Sequence, residues 1–138
     1  MSLALSLLIC SIPWITEVVL DLKDSFKGKV DQHKKDIWVL RLPAFILASL
    51  LNTALLPNEF IFPIQFGQSL LLCFGLFVMF FDMTFGTVFK KDPFYLGTTS
   101  ELDKKLIALP KTSLLMVRLI ILTISITIYI SLFTAIYG

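Results

Sequence analysis

Ile64-Gln-Phe-Gly-Gln68-Ser-Leu-Leu-Leu-Cys73-Phe-Gly75-Leu-Phe-Val-Met-Phe-Phe-Asp82-Met-Thr-Phe-Gly86-Thr-Val-Phe89 is an almost unbroken apolar run holding a single carboxylate. About 20 apolar residues in a helix cross a hydrocarbon core of roughly 30 Å, so the run reads as a transmembrane helix. Asp82 is then a residue that lipid rejects unless a partner neutralises it. Gln68, Gly75 and Asp82 recur at seven-residue steps with Gly86 one turn further, which places them on one helical stripe. Small residues on such a stripe let helix backbones approach closely in lipid.

The rest of the chain repeats the pattern. Of 138 residues, 57% are hydrophobic and 16% charged, with a mean hydropathy of +0.86, too apolar for a soluble domain of this size. Further apolar runs lie at about 2–20, 37–56 and 113–137, beside the run at 64–89. The first has no basic residue before it and no small-residue cleavage site after it, so it reads as a retained span rather than a signal peptide. The last alternates as Thr123-Ile-Ser-Ile-Thr-Ile-Tyr-Ile-Ser131. Alternation in water suggests a strand, but an open strand in lipid leaves backbone groups unpaired, so helix is favoured. The sequence therefore predicts an all-α integral membrane protein: a single transmembrane domain over residues 1–138, with four transmembrane helices and a short interfacial helix in the third connection.

Within the spans, polar residues are patterned. Ser6, Cys10, Pro13 and Glu17 share one face of the first, and Arg41, Ala48 and Asn52 one face of the second; Thr123, Thr127, Ser131 and Thr134 form a stripe on the fourth. The two cysteines, Cys10 and Cys73, each sit inside an apolar run and read as small fillers rather than as a disulfide or metal pair. His33, the single histidine, lies among lysines and aspartates and reads as solvated.

The twelve Lys and Arg residues fall in or next to the first and third connections, 21–36 and 90–112, and neither the second connection nor either terminus has any. The positive-inside rule then puts both basic connections in the cytoplasm and both termini on the other side of the membrane. Lys23, Lys27, Lys29, Lys90 and Lys91 are candidate contacts for anionic lipid headgroups. Protein partners or a homo-oligomer are expected; nucleic acid is not.

With that orientation, each span carries one charge at similar depth. Counting about 1.5 Å per residue from the inner boundary, Glu17, Arg41, Asp82 and Arg118 fall in one layer. Two acids and two arginines in a layer can pair across helices, and arginine's planar fork suits a carboxylate. The layer reads first as a device that fixes helix register, with Asp82 paired to Arg41 or Arg118, and second as a proton or ion relay.

In the third connection, Ser100 followed by Asp103 has capping-box spacing for an interfacial helix over 101–109, ended by Pro110. The segment Phe81-Asp82 followed by Phe94-Tyr-Leu-Gly-Thr-Thr-Ser-Glu-Leu-Asp-Lys104, before a last apolar span, resembles a group of small uncharacterised membrane proteins of Bacteroidetes and their phages. The likeness covers residues 80–130 and, more weakly, 31–38. The group often has Pro after the Phe-Asp pair and an Arg-Gly turn in the third connection; Met83 and Lys90-Lys91 stand here instead. The resemblance implies a setting and no activity. It directs attention to Tyr95, Gly97, Thr98, Thr99, Ser100 and Asp103 as an anion or partner contact, where hydroxyls meet free helix N–H groups.

No nucleophile elbow, zinc-binding helix motif, phosphate-binding loop or dinucleotide fingerprint occurs. No catalytic residue, metal site or cofactor is therefore expected. The expectation is a non-enzymatic structural or accessory membrane component, plausible in a phage or a larger assembly such as a lipid-containing virion. A small channel, holin-like pore or ion-coupled transporter using the charge layer is the alternative.

Overall fold

Apolar side chains throughout four stretches leave helix as the conformation that satisfies the backbone internally. The computed structural model describes residues 2–27, 40–56, 62–95 and 105–137. Among the described residues there are four helices and no strand: α1 Leu3–Phe26, α2 Leu42–Ala54, α3 Phe62–Lys90 and α4 Lys111–Tyr137.

Local sequence explains the helix ends. The Ser2 side chain accepts a hydrogen bond from the Leu5 N–H at 3.3 Å and caps α1. At its other end the Lys27 N–H bonds the Asp24 carbonyl at 3.1 Å. Pro43 lies in the first turn of α2, where a missing N–H costs nothing. The last residues of α3 lead into Lys91, whose φ of 56° is left-handed and uncommon outside glycine. That turn lets the Asp92 N–H reach the Gly86 carbonyl at 3.2 Å. Pro110 stands just before α4, and its carbonyl accepts from the Leu114 N–H at 3.1 Å.

Three helices are long and apolar enough to cross a membrane: α1, α3 and α4 over Lys111–Ser131. The fourth expected span is not seen at that length. α2 has 13 residues, about 20 Å at 1.5 Å per residue, and the residues at 37–39 of the expected span lie outside the described residues. Of the interfacial helix expected over 101–109, a single helical turn at 105–107 is present and 101–104 lie outside the described residues.

α3 is the hub. It packs against each of the other three helices, and α1 also packs against α2. Cys10 lies on Ser69 and Phe26 on Phe89, so α1 runs parallel to α3. Phe45 meets Phe77 and Asn52 meets Ser69, so α2 runs antiparallel to it, as α4 does with Arg118 at Asp82 and Gln68 at Ile128.

The buried core joins Cys10, Ala48, Leu72, Cys73, Leu76 and Tyr129. Leu8, Val19, Leu47, Ile64, Met116 and Ile120 face outward on the four helices. A contiguous apolar exterior around an interior containing Ser, Asn, Gln, Glu and Arg is the arrangement lipid selects and water does not.

Candidate functional site

The four charged residues of the expected layer meet in two pairs. An Arg118 Nη2 N–H donates to Asp82 Oδ2 at 2.9 Å, joining α4 to α3. Arg41 pairs through Nη2 with Glu17 Oε1 and lies 3.7 Å from Asp21 Oδ2, joining α2 to α1. The pairs differ in burial. In the first the arginine is the buried member, its side chain 3% exposed against 35% for Asp82; in the second the acid is, Glu17 at 6% against 26% for Arg41. Arg118 Nη1 is buried without a hydrogen-bond partner.

Both pairs lie at one level of the bundle. Phe45 of α2 packs on Phe77 of α3 at 5.3 Å between ring centroids. Arg41 is one turn before Phe45 and Phe81 one turn after Phe77, so the antiparallel helices bring Arg41 level with Phe81-Asp82. The structure thus brings Arg118 to Asp82 and Arg41 to Glu17.

The stripe on α3 faces mainly one neighbour. The Gln68 amide donates to the Ile128 carbonyl at 3.3 Å, Gly75 lies against Ser125, and Asp82 holds Arg118. A Cβ on Gly75 would fall 2.5 Å from Ser125 Oγ, so the glycine sets how closely α3 and α4 approach. Gly86 continues the stripe past α4 and lies under Asp92 and Tyr95 of the third connection.

Basic side chains gather at the end of the bundle where α1 and α3 finish. Lys23, Lys27, Lys90, Lys91 and Lys111 are there, as the Phe26–Phe89 contact at 5.9 Å and the Lys111–Asp92 pair at 3.7 Å require. Aromatic rings stand among them. The Lys90 ammonium lies 4.7 Å from the Phe89 ring centroid and 5.8 Å from that of Tyr95, and Lys111 lies 5.6 Å from that of Phe94. Of the expected anion or partner contact, only Tyr95 is within the described residues; Gly97, Thr98, Thr99, Ser100 and Asp103 lie outside them, as do Lys29 and His33.

At the opposite end the structure contains a second polar constellation, which the stripe analysis of α4 misses. The Tyr129 hydroxyl donates to Ser6 Oγ at 2.8 Å and accepts from Asn52 Nδ2 at 3.0 Å. The same amide donates to Ser69 Oγ at 2.8 Å, and Thr53 Oγ1 lies 3.3 Å from it. All four helices contribute, and all of these side chains are buried. The expected stripe Thr123, Thr127, Ser131 and Thr134 is instead exposed. The inward face of α4 carries Leu114, Arg118, Ser125 and Tyr129, at steps of four, seven and four. Starting the stripe from Arg118 would have found it; counting hydroxyls did not, because in lipid a threonine satisfies itself by bonding the carbonyl a turn back, as Thr134 does to Ile130 at 3.1 Å.

Between the two polar levels stands an apolar one. Trp14 meets Phe80 at 5.6 Å and Phe45 meets Phe77 at 5.3 Å, with Leu76 and Met79 buried beside them. Among the described residues no group of three or more His, Cys, Asp or Glu is placed to hold a metal ion. Comparison of the chain with protein-family models, with curated proteins and with solved structures found no match.

Proposed function

We propose that the chain is a non-enzymatic integral membrane protein that acts as a structural or accessory component of a larger membrane assembly. In this reading all four helices lie in the bilayer, α2 being completed by the residues before it. The lysine-rich end faces the cytoplasm and both termini face away from it. Lys23, Lys27, Lys29, Lys90 and Lys91 meet anionic headgroups there, and protein partners or further copies cover part of the apolar exterior. The likeness to small membrane proteins of Bacteroidetes and their phages suggests a bacterial inner membrane or a virion membrane as the setting.

The observation that carries the reading is how the intramembrane charges are used. Arg118 is held by Asp82 and Arg41 by Glu17, each arginine paired with an acid of a neighbouring helix, which is how a charge layer fixes register. A conducting path would need these groups to communicate with the polar cluster at the other end. The Trp14, Phe80, Phe45 and Phe77 level intervenes, which favours a static bundle over a channel, holin-like pore or ion-coupled transporter.

Expression in a bacterial host tests this directly. Undisturbed growth and membrane potential, with a defined protein or lipid co-purifying in mild detergent, is the expected result. Rapid lysis or depolarisation that Asp82→Asn abolishes would replace the structural reading by the pore. Tags inserted at 28–36 and 96–104 should be unreachable from outside intact cells, and labelling there would invert the orientation.

A further inference from the structure

Sequence gives Cys10 and Cys73 no relation to one another, but the fold makes them neighbours. They project from the parallel helices α1 and α3, neither has any solvent-accessible surface, and both belong to the one buried cluster at the centre of the bundle. Two further contacts fix their positions. Cys10 Sγ donates to the Ser69 carbonyl at 3.8 Å, which holds it over the turn of α3 that precedes Cys73. Cys73 Sγ lies 3.6 Å from Ser49 Oγ of α2. The surroundings are Ala48, Leu72 and Leu76, so nothing charged competes for either sulfur.

We infer that Cys10 and Cys73 form an oxidisable pair, a modification site at which a disulfide ties α1 to α3. In the reaction both S–H bonds break and one S–S bond forms. Two electrons and two protons pass to a lipid-soluble two-electron acceptor, such as a fully substituted quinone, which becomes the quinol, or molecular iodine, which becomes two iodide ions with release of the protons. The acceptor is of this class because both sulfurs lie inside the bundle behind an apolar exterior, where charged aqueous oxidants do not enter. The same burial shields the product from charged thiol reductants such as glutathione, so the tie persists once made. Ser49 is a positioning residue: its hydroxyl meets the Cys73 sulfur at 3.6 Å and keeps that side chain from turning away within the core.

The test uses the full chain in lipid vesicles treated with iodine, followed by denaturation, labelling of remaining thiols and digestion after lysine and arginine. The expected result is loss of both thiols and recovery of the Cys10 peptide joined to the Cys73 peptide, lighter than their sum by two hydrogens. Cys10→Ala and Cys73→Ala should each keep their remaining thiol under the same treatment. The double variant Leu8→Cys/Cys10→Ala moves the thiol to an outward position and should give at least tenfold less linked peptide. Ser49→Ala should slow linkage several-fold without changing its product. The inference is overturned if wild type keeps both thiols, if single-cysteine variants lose theirs as fast, if the product joins two chains, or if the Leu8→Cys variant links equally well.

Discussion

The two polar levels of the bundle solve one problem in opposite ways. At the lysine-rich end the polar groups are ionised and meet two by two, Arg118 with Asp82 and Arg41 with Glu17. At the other end they are neutral and meet as a group, with Tyr129 and Asn52 linking Ser6 and Ser69 so that four helices share one network. A charge in lipid is costly alone and tolerable only opposite its complement, so the charged level dictates which helices are neighbours and in what register. A hydroxyl or amide loses less when it changes partners, so the neutral level contributes cohesion in small increments. Specificity and cohesion therefore sit at different depths of the molecule.

The largest effect should come from breaking the charged level on one side only. Arg118→Met leaves the Asp82 carboxylate without its arginine. Removing one partner of a buried pair typically costs 3–5 kcal/mol, and with Asp82 partly exposed the lower end, about 3 kcal/mol, is expected. Reversible unfolding in detergent or bicelles measures it. Arg118→Met/Asp82→Leu should recover most of the loss, because removing both charges removes the penalty. If the double variant is as unstable as the single one, the pair is not what holds α3 to α4.

Close approach of α3 and α4 comes next. Gly75→Val puts a branched side chain where even a Cβ would lie 2.7 Å from Ser125 Cβ, and forcing extra methyls into a packed interior costs about 1–3 kcal/mol. Pairing it with Ser125→Gly should restore part of the stability. An uncompensated Gly75→Val of full stability would mean that the helices are not in contact along this stripe.

These two sites were also the most readable from sequence, and for a physical reason. Asp82, Gly75 and Gln68 stand out against a Phe- and Leu-rich background, so a seven-residue step is enough to place them on one face. The pairing of Asp82 with Arg118 rather than Arg41 was not readable, because depth along each helix says nothing about which helices are neighbours. The neutral level was harder still. Gln65, Ser69 and Cys73 make a second stripe on α3 at steps of four, but serine and cysteine are unremarkable in a membrane helix and stand out only once Asn52 and Tyr129 are opposite them.

The neutral level should break more gently. Tyr129→Phe deletes a hydroxyl that donates to Ser6 and accepts from Asn52. Hydrogen bonds between membrane helices average about 0.6 kcal/mol with a maximum near 1.7, so a loss of about 1 kcal/mol is expected, read in the same unfolding assay. Asn52→Leu should cost a similar amount, and the two changes together should cost less than their sum because they remove a shared bond. A loss as large as that of Arg118→Met would erase the distinction between the two levels.

The smallest effect is predicted for the stripe that sequence favoured on α4. Thr123 and Thr127 are exposed, and each lies two residues from the buried Ser125, so the helix turns them away from α3. Threonine there can satisfy its hydroxyl on the carbonyl a turn back, which requires nothing from a neighbouring helix. Thr123→Val and Thr127→Val should therefore leave stability within about 0.5 kcal/mol, the usual range for surface substitutions. The conservative shape of valine makes the comparison clean, since only the hydroxyl is exchanged for a methyl. A loss above about 1 kcal/mol at either position would mean that a partner helix reads the hydroxyl, and the outward face of α4 would then be an interface rather than a lipid-facing surface.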